Sequence, residues 1–341
     1  MKTIRSLTIT TLLILAGSVF ATQVARADTY SWTNFQSDIP GVATHTDPNL
    51  VNPWGMAPSP SGSTIWVSDN GTGVSTLYKQ DGTARSLIVS IPAREKDKSG
   101  NPTGVVRNDS SFFKVTKGAN SFPAIFIFVS EDGTISGWNP NVDPTNAIVA
   151  VKGEGDNIYK GVTLGVANGH NFLYATNFHQ SQVDVYDENF NPVKMGFADP
   201  NLPKDFAPFG IRNFNGQIYV TYAKQGPGKK DDEAGPGNGF INVFDTSGTF
   251  VKRLVSNGNL NSPWGLAIIE GDELWVGNFG DGKINNYDPT TGASLGTIHR
   301  ADGTPLQFDG LWDMLPLGSG VYFTAGIADE EHGLFGLITE D

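Results

Sequence analysis

The stretch that decides the fold is Ser262–Asp288, which reads SPWGLAIIEGDELWVGNFGDGKINNYD. It contains three short apolar runs, separated by a turn at 270–272 and by a glycine-rich loop at 277–282. Runs this short, bounded by Gly, Asp and Asn, predict antiparallel strands joined by tight turns. A sheet of this size has an apolar face that it cannot cover by itself, so further copies are expected in the chain.

Copies of this stretch recur along the chain. Pro53–Ala57 matches Pro263–Ala267, and Ile65–Gly71 matches Leu274–Gly280. Four weaker copies bring the total to six, and each copy contains one repeat glycine. We assign these glycines, which are 45 to 57 residues apart, as Gly55, Gly104, Gly161, Gly210, Gly265 and Gly310. A period of roughly 40–50 residues built from short strands is typical of propeller blades. The sequence therefore predicts an all-β fold, a single six-bladed β-propeller.

The sixth blade is predicted to borrow a strand from the other end of the chain. Its three apolar runs, 311–317, 321–325 and 334–338, have no fourth run after them. Tyr30–Phe35 precedes blade one and has no blade of its own. Placed as the outer strand of the last blade, this N-terminal strand would close the ring and hide two strand edges.

Residues 1–27 have the pattern of a secretory signal peptide. Lys2 and Arg5 precede the apolar stretch Leu7–Phe20, and Ala25-Arg26-Ala27 provides a small-x-small end. The apolar stretch is short for a membrane anchor. We therefore predict cleavage before Asp28, a mature propeller over 28–341 without a membrane span, and an exported protein, either periplasmic or extracellular.

Composition excludes several classes of function. Removal of residues 1–27, which carry three basic residues and no acidic one, would change the formal net charge from −12 to −15. Such an acidic surface repels nucleic acid. The chain has no Cys, which excludes disulfides, thiol nucleophiles and thiolate metal sites. Its five His form no close-spaced metal motif, and no Ser has a G-x-S-x-G context, so no cofactor is evident.

The candidate site is one rim of the ring. In an antiparallel blade, the start of the first strand and the loop between the second and third strands lie on the same side. Polar groups on loops held by a rigid scaffold are the usual place for binding. The candidate ligand-binding residues of this rim are Trp54, Asp69, Asn70, Glu131, Asn177, Trp264, Asn278, Asp309, Glu330 and His332.

Two alternatives stay open for these residues. Trp54, Trp264 and Trp312 either stack on a ligand at the channel mouth or pack between the blades. Asp69, Glu131 and Glu330 either converge on Ca²⁺, which takes oxygen ligands, or serve as turn-forming and solvated groups. A lactonase-type Ca²⁺ centre at the first-strand starts is disfavoured, because among the residues before the six repeat glycines only Asp309 is acidic.

Several runs resemble an uncharacterised family of secreted bacterial β-propellers, many of which carry a C-terminal PEP-CTERM sorting segment. The runs are NPWGMA (52–57), WVSDNGTGVSTLY (66–78), EDGTISGWNP (131–140), LNSPWGLA (260–267), VGNFGDGKINNYDPTTG (276–292) and DEEHGLFG (329–336). The resemblance implies a six-bladed propeller related in architecture to NHL-repeat proteins, and it implies no activity.

These observations favour a binding or interaction protein over an enzyme. We predict that the rim is presented to a polar small molecule, a glycan or an envelope protein. The alternative is a metal-assisted hydrolase or lyase in the channel mouth. A structural component of the envelope without a discrete ligand is the third possibility.

Overall fold

The computed structural model describes residues 28–269 and 273–341. Within these ranges the strands form six sheets of four or five strands and one separate two-stranded hairpin, and no helix is present. Neighbouring strands are antiparallel except where Tyr30–Ser37 pairs with His45–Thr46. The sheets are the blades of a propeller, so the predicted fold class is confirmed. The predicted signal peptide lies outside the described residues.

Each blade begins with its innermost strand. The strands of blade one are Pro53–Pro58, Thr64–Asp69, Val74–Lys79 and Val89–Ser90. Those of blade two are Pro102–Arg107, Phe126–Ser130, Ile135–Trp138 and Ile148–Val151. Those of blade three are Tyr159–Ala167, His170–Asn177, Gln182–Asp187 and Pro192–Val193. Those of blade four are Phe206–Phe214, Gln217–Lys224, Gly239–Asp245 and Phe250–Ser256. Those of blade five are Pro263–Ile269, Glu273–Asn278, Ile284–Tyr287 and Ser294–Thr297.

Blade six closes the ring in the predicted way. Three of its strands come from the C-terminal part of the chain: Leu311–Leu317, Gly320–Ala325 and Leu334–Glu340. The N-terminal strand Tyr30–Ser37 pairs antiparallel with the last of them. The pairing runs from Tyr30 opposite Glu340 to Ser37 opposite Leu334, with one bulge. The two ends of the described chain therefore share one sheet, and neither leaves an open edge at the seam.

The apolar core lies between neighbouring blades. Every residue of the second strands Thr64–Asp69 and Phe126–Ser130 is buried, because both faces of these strands are covered by adjacent sheets. Trp66 of blade one, for example, stacks on Phe126 of blade two, with ring centroids 4.1 Å apart. This two-sided burial explains why the strands are continuous apolar runs rather than alternating patterns.

Two features were not predicted from the sequence. A hairpin of Lys114–Lys117 and Asn120–Pro123 is inserted in blade two, between its first and second strands. The fourth strand of blade three is only two residues long, Pro192–Val193.

Among the described residues, no helix has the length and apolar character needed to cross a membrane.

Candidate functional site

Five inner strands approach one another through glycines around the central channel. A Cβ added to Gly55 would lie 2.9 Å from the carbonyl oxygen of Thr103 in the next blade. A Cβ on Gly210 would lie 2.1 Å from the carbonyl oxygen of Trp264. Real Cβ atoms do not come this close, so only glycine fits where the backbones meet. The repeat glycines of the sequence therefore mark the inner ring.

The assignment of Gly310 as the sixth of these glycines is wrong. A Cβ on Gly265 would meet the carbonyl oxygen of Trp312 at 2.5 Å and the Cα of Asp313 at 3.4 Å, so Asp313 holds the sixth position. Gly310 has a φ of 61° and lies before the inner strand, not in it. The residues that precede the ring positions are Trp54, Thr103, Lys160, Phe209, Trp264 and Trp312.

At the sixth ring position Asp313 stands where the other blades have a glycine, and its hydrogen bonds connect three blades. Its Oδ2 accepts a hydrogen bond from the backbone N–H of Met56 at 2.8 Å, in blade one. Its Oδ1 accepts one from Nη2 of Arg212 at 2.6 Å, across the channel in blade four. The sequence analysis missed this pair. The signal that could have revealed it is the register Trp54-Gly55, Trp264-Gly265 and Trp312-Asp313.

Above this ring, aromatic side chains seal the channel. Trp312 stacks on Trp54 with centroids 3.4 Å apart and on Phe279 with centroids 4.0 Å apart. Trp264 meets Trp54 and Trp312 edge to face, at 6.1 and 5.9 Å. Trp54, Trp264 and Trp312 are only 2%, 6% and 1% exposed. The packing alternative therefore describes where these rings lie, and ligand stacking by Trp54 and Trp264 stays a prediction. We call Trp54, Trp264, Phe279 and Trp312 the aromatic plug.

A buried ion pair lies directly on the aromatic plug. The Lys160 ammonium is 2.6 Å from Oε1 of Glu131 and 5.1 Å from the centroid of the Trp54 ring. The side chain of Asn70 donates to the other oxygen of Glu131 at 3.2 Å. Burial alone would raise the pKa of Glu131, but the nearby ammonium outweighs it and holds that pKa below its usual value. The pair is therefore charged at neutral pH.

Further carboxylates converge on this pair from blades four and six. The Asp231 carboxylate is 3.9 Å from the Lys160 ammonium, and Oε2 of Glu330 accepts a hydrogen bond from Asn52 at 2.7 Å. Asn52 in turn accepts a hydrogen bond from Nε1 of Trp312 at 2.9 Å. Burial raises the pKa of both Asp232 and Glu330. We call Glu131, Lys160, Asp231, Asp232 and Glu330 the mouth cluster.

Three other predicted residues have a role within their own blades. Asp69, Asn177 and Asn278 end the second strands of blades one, three and five, and all are fully buried. Asn278, for instance, donates to the carbonyl of Asn259 at 2.8 Å and accepts from the backbone N–H of Asn261 at 3.1 Å. Side chains that fasten turns in this way are not available to a ligand in this conformation. Their part in ligand binding stays a prediction.

Asp69 occupies the same position in its blade as Asn177 and Asn278 do in theirs, so its replacement by Asn tests the effect of the buried carboxylate on stability. One of its oxygens accepts the Thr76 N–H at 2.8 Å, the other has no partner among the described residues, and burial raises its pKa well above the usual value. The buried carboxylate is therefore unfavourable once ionised. Asp69→Asn, matching Asn177 and Asn278, is expected to raise the free energy of unfolding at pH 7 by about 1–2 kcal/mol.

The sign of the pH dependence follows from the raised pKa. The stabilising contribution of Asp69 is complete below the pKa of the unfolded carboxyl, about 4, and is lost as pH rises through the folded pKa. The advantage of Asp69→Asn should therefore be largest at neutral pH and shrink toward pH 4. Denaturant melts of both proteins at pH 4 and pH 7 measure it. An equal difference at both values would contradict this account.

Asp309 and His332 lie at the edge of the rim. Asp309 is exposed and accepts a hydrogen bond from the backbone N–H of Ala328 at 2.9 Å. Nδ1 of His332 is 2.6 Å from Oδ2 of Asp38, so this ring binds the segment after the closing strand rather than the mouth cluster. The structure thus brings together Trp54, Asn70, Glu131, Trp264 and Glu330 of the predicted set.

The channel mouth does not fit a Ca²⁺ centre at the first-strand starts. The six residues there are three Trp, one Phe, one Thr and one Lys, and Lys160 places an ammonium where Ca²⁺ would need oxygen ligands. In the described ranges, no three His, Asp or Glu side chains are grouped in a metal-binding arrangement. Ca²⁺ binding by carboxylates of the outer loops stays an untested prediction.

Solved structures with the same fold have different functions. A streptogramin B lyase is 12% identical with a TM-score of 0.53, covering 92% of this chain and 98% of that one. A gluconolactonase from Xanthomonas campestris is 12% identical with a TM-score of 0.53, covering 86% and 87%. A chain of a nidogen/laminin complex is 14% identical with a TM-score of 0.51, covering 78% and 84%. At these identities the likeness shows the propeller fold alone.

Sequence relatives cover most of the chain. No family model matches it. It is 34% identical over 317 residues to "Uncharacterized protein R648" of Acanthamoeba polyphaga mimivirus, covering 88% of this chain and 77% of that protein. It is 33% identical over 322 residues to "Uncharacterized protein L690" of the same virus, covering 88% and 83%. This protein therefore belongs to the family of these two mimivirus proteins.

Proposed function

We propose that this protein is an exported binding propeller that holds a polar, preferably cationic, ligand at the mouth of its central channel. The observation that carries the proposal is the mouth cluster, whose charged side chains come from four blades and meet over the aromatic plug. Glu131 belongs to blade two, Lys160 to blade three and Glu330 to blade six. Asp231 and Asp232 reach the same place from the long loop of blade four.

The fold does not need charges at this place. The aromatic plug fills the channel below them, and a buried ion pair is often no more stabilising than apolar side chains of similar volume. The side chains of Lys160 and Glu131 are only 3% and 16% exposed. Buried charges with shifted pKa values that converge from separate elements are typical of functional sites.

The sign of the charge favours a cation. The mouth cluster contains four carboxyl groups and one ammonium, and the whole chain has a formal net charge of −12. Asp231 presents a side chain that is 72% exposed, so a ligand can reach the outer carboxylates while Lys160 and Glu131 form the floor. An acidic cluster above an aromatic floor concentrates cationic ligands and repels anions.

The enzymatic alternative has less support. The solved propellers of similar fold include a lyase and a gluconolactonase, but that likeness concerns the fold. The six residues that precede the ring positions offer no carboxylate or side-chain amide to a metal, and the mouth carboxylates already surround an ammonium. Export, an envelope or glycan partner and the kinship with PEP-CTERM propellers rest on the sequence pattern alone.

Titration calorimetry with spermidine as a cationic probe, trehalose as a neutral one and citrate as an anionic one tests the proposal. Spermidine is expected to bind most tightly, with an affinity that falls as salt is added. Removing one mouth charge, by Asp231→Asn or by Glu330→Gln, should weaken spermidine binding about fivefold, or about 1 kcal/mol.

The matched control is Asp81→Asn, which removes one exposed carboxylate from the turn after the third strand of blade one, on the opposite side of the ring. It should leave spermidine binding unchanged. Equal loss of affinity in the control, tighter binding of citrate, or no binding of spermidine would each overturn the proposal.

A further inference from the structure

A groove lies beside the short fourth strand of blade three, away from the channel mouth. It has a volume of about 1240 Å³ and shares no residue with the mouth cluster or the aromatic plug. Small-molecule sites occupy about 300–1,000 Å³, so the groove is larger than one small molecule needs. Its apolar lining includes Val183, Val185, Phe190, Val193, Phe197 and Phe206.

One wall of the groove is a strand whose outer edge is only partly paired. The third strand of blade three, Gln182–Asp187, contacts its fourth strand through two residue pairs, Val185 with Val193 and Tyr186 with Pro192. Beyond Val193 the chain leaves the sheet and forms the far side of the groove before blade four begins at Phe206. Within the described chain, no strand pairs with the outer edge of Gln182–Asp184.

Blade one shows that a two-residue fourth strand does not by itself leave such an edge. There the fourth strand is also two residues long, Val89–Ser90. The remaining third-strand residues are covered, because Leu77 accepts the N–H of Arg85 at 2.7 Å and Tyr78 forms a bridge with Ala84. In blade three the corresponding cover is replaced by the groove. An open edge beside an apolar trough is the arrangement that receives an added strand.

The charges around the groove select the kind of strand. Lys152, Lys194 and Lys204 line it, all three are exposed, and none makes an ion pair within the described chain. Of the three acidic residues that line it, Asp199 is already bound by Arg253, and Asp184 accepts hydrogen bonds from Asn177 and Tyr159. The third, Glu154, is exposed and makes no ion pair within the described chain. Three free ammonium groups against one free carboxylate, on a chain of net charge −12, favour an acidic partner.

We propose that this groove binds an extended acidic peptide segment of a partner protein, which adds a strand to Gln182–Asp184. Backbone hydrogen bonds to the open edge would supply affinity. Alternate apolar side chains would enter the trough, and carboxylates on the other face would meet the three lysines. This site is independent of the channel mouth, so the two proposals succeed or fail separately.

Fluorescence anisotropy with the full chain and a labelled seven-residue peptide of alternating valine and glutamate tests the proposal. The peptide is expected to bind, and the triple variant Lys152→Ala, Lys194→Ala, Lys204→Ala should weaken binding about tenfold. The same peptide with alternate backbone amides N-methylated keeps its side chains and loses its donors, so its binding should fall by more than about tenfold.

Two controls complete the test. Lys114→Ala, an exposed lysine in the inserted hairpin of blade two, should leave peptide binding unchanged. A valine–lysine peptide should not bind. Equal binding of the N-methylated peptide would overturn strand addition, and absence of binding by the valine–glutamate peptide would overturn the site. Dimerisation that blocks the peptide and disappears in the triple variant would assign the groove to a second copy of this chain instead.

Discussion

Trp312→Ala is expected to lower the free energy of unfolding by about 3–5 kcal/mol, because it removes the central ring of the aromatic plug. The Trp312 side chain lies between Trp54 and Phe279, contacts the edge of Trp264 and is 1% exposed. Its Nε1 also donates to Asn52, which would be left without this partner. Equilibrium denaturant unfolding of the two proteins measures the difference.

The control for this prediction is Phe112→Ala, which removes an aromatic side chain that is 40% exposed. A surface change of this kind should alter stability by no more than about 0.5 kcal/mol. Trp264→Ala should lower the free energy of unfolding by an amount close to that of Trp312→Ala and well above that of the control. The reason is that Trp264 is 6% exposed and its Nε1 donates to the carbonyl of Lys160 at 3.1 Å. If Trp312→Ala melted like the control, the ring would be free for a ligand and the packing account would be wrong.

Removal of residues 28–37 is expected to cost about 5 kcal/mol or more, enough to abolish cooperative folding of a domain of ordinary stability. The deletion strips the outer strand from blade six and exposes the edge of Leu334–Glu340. It also removes the contact of Tyr30 with Trp275, at 4.9 Å between ring centroids, and the bond from the buried Gln36 side chain to the Gly82 carbonyl at 2.8 Å. Circular dichroism melts of both proteins measure the loss.

A synthetic peptide of residues 28–38 provides the matched control. Added to the truncated protein, it should pair with Leu334–Glu340 and restore a cooperative melt. The same peptide with residues in scrambled order should not. A truncated protein that melted at the temperature of the complete one would show that the ring does not depend on this closure.

The mouth cluster and the layer of Asp313 and Arg212 below it have different roles: the cluster is the proposed binding site, and the layer holds the blades together. Asp313 and Arg212 hold blades one, four and six at fixed distances across the channel, and a cavity of about 20 Å³ beside them has room for about one water molecule. The aromatic plug then separates this layer from the mouth cluster. A ligand at the mouth is therefore expected to meet a rigid floor, which keeps the entropic cost of binding low.

The sequence by itself determined the repeat, the number of blades and the closure of the ring. These follow from local signals: short apolar runs bounded by turn residues, a glycine where backbones must touch, and an unpaired run at 30–35. The sequence also predicted that Asn70, Glu131 and Glu330 share one rim, and in the structure their side chains lie at the channel mouth. Periodicity is sufficient for such predictions because each blade repeats the same local rules.

Only the tertiary structure decided which rim residues face one another across the channel and which form hydrogen bonds within their own blades. Asp69, Asn177 and Asn278 look like rim ligands in the sequence, but their side chains fasten buried turns. Lys160 pairs with Glu131, 29 residues away, and Arg212 with Asp313, 101 residues away. Pairings across the channel depend on the rotation between blades and on side-chain burial, and neither leaves a local pattern in the chain.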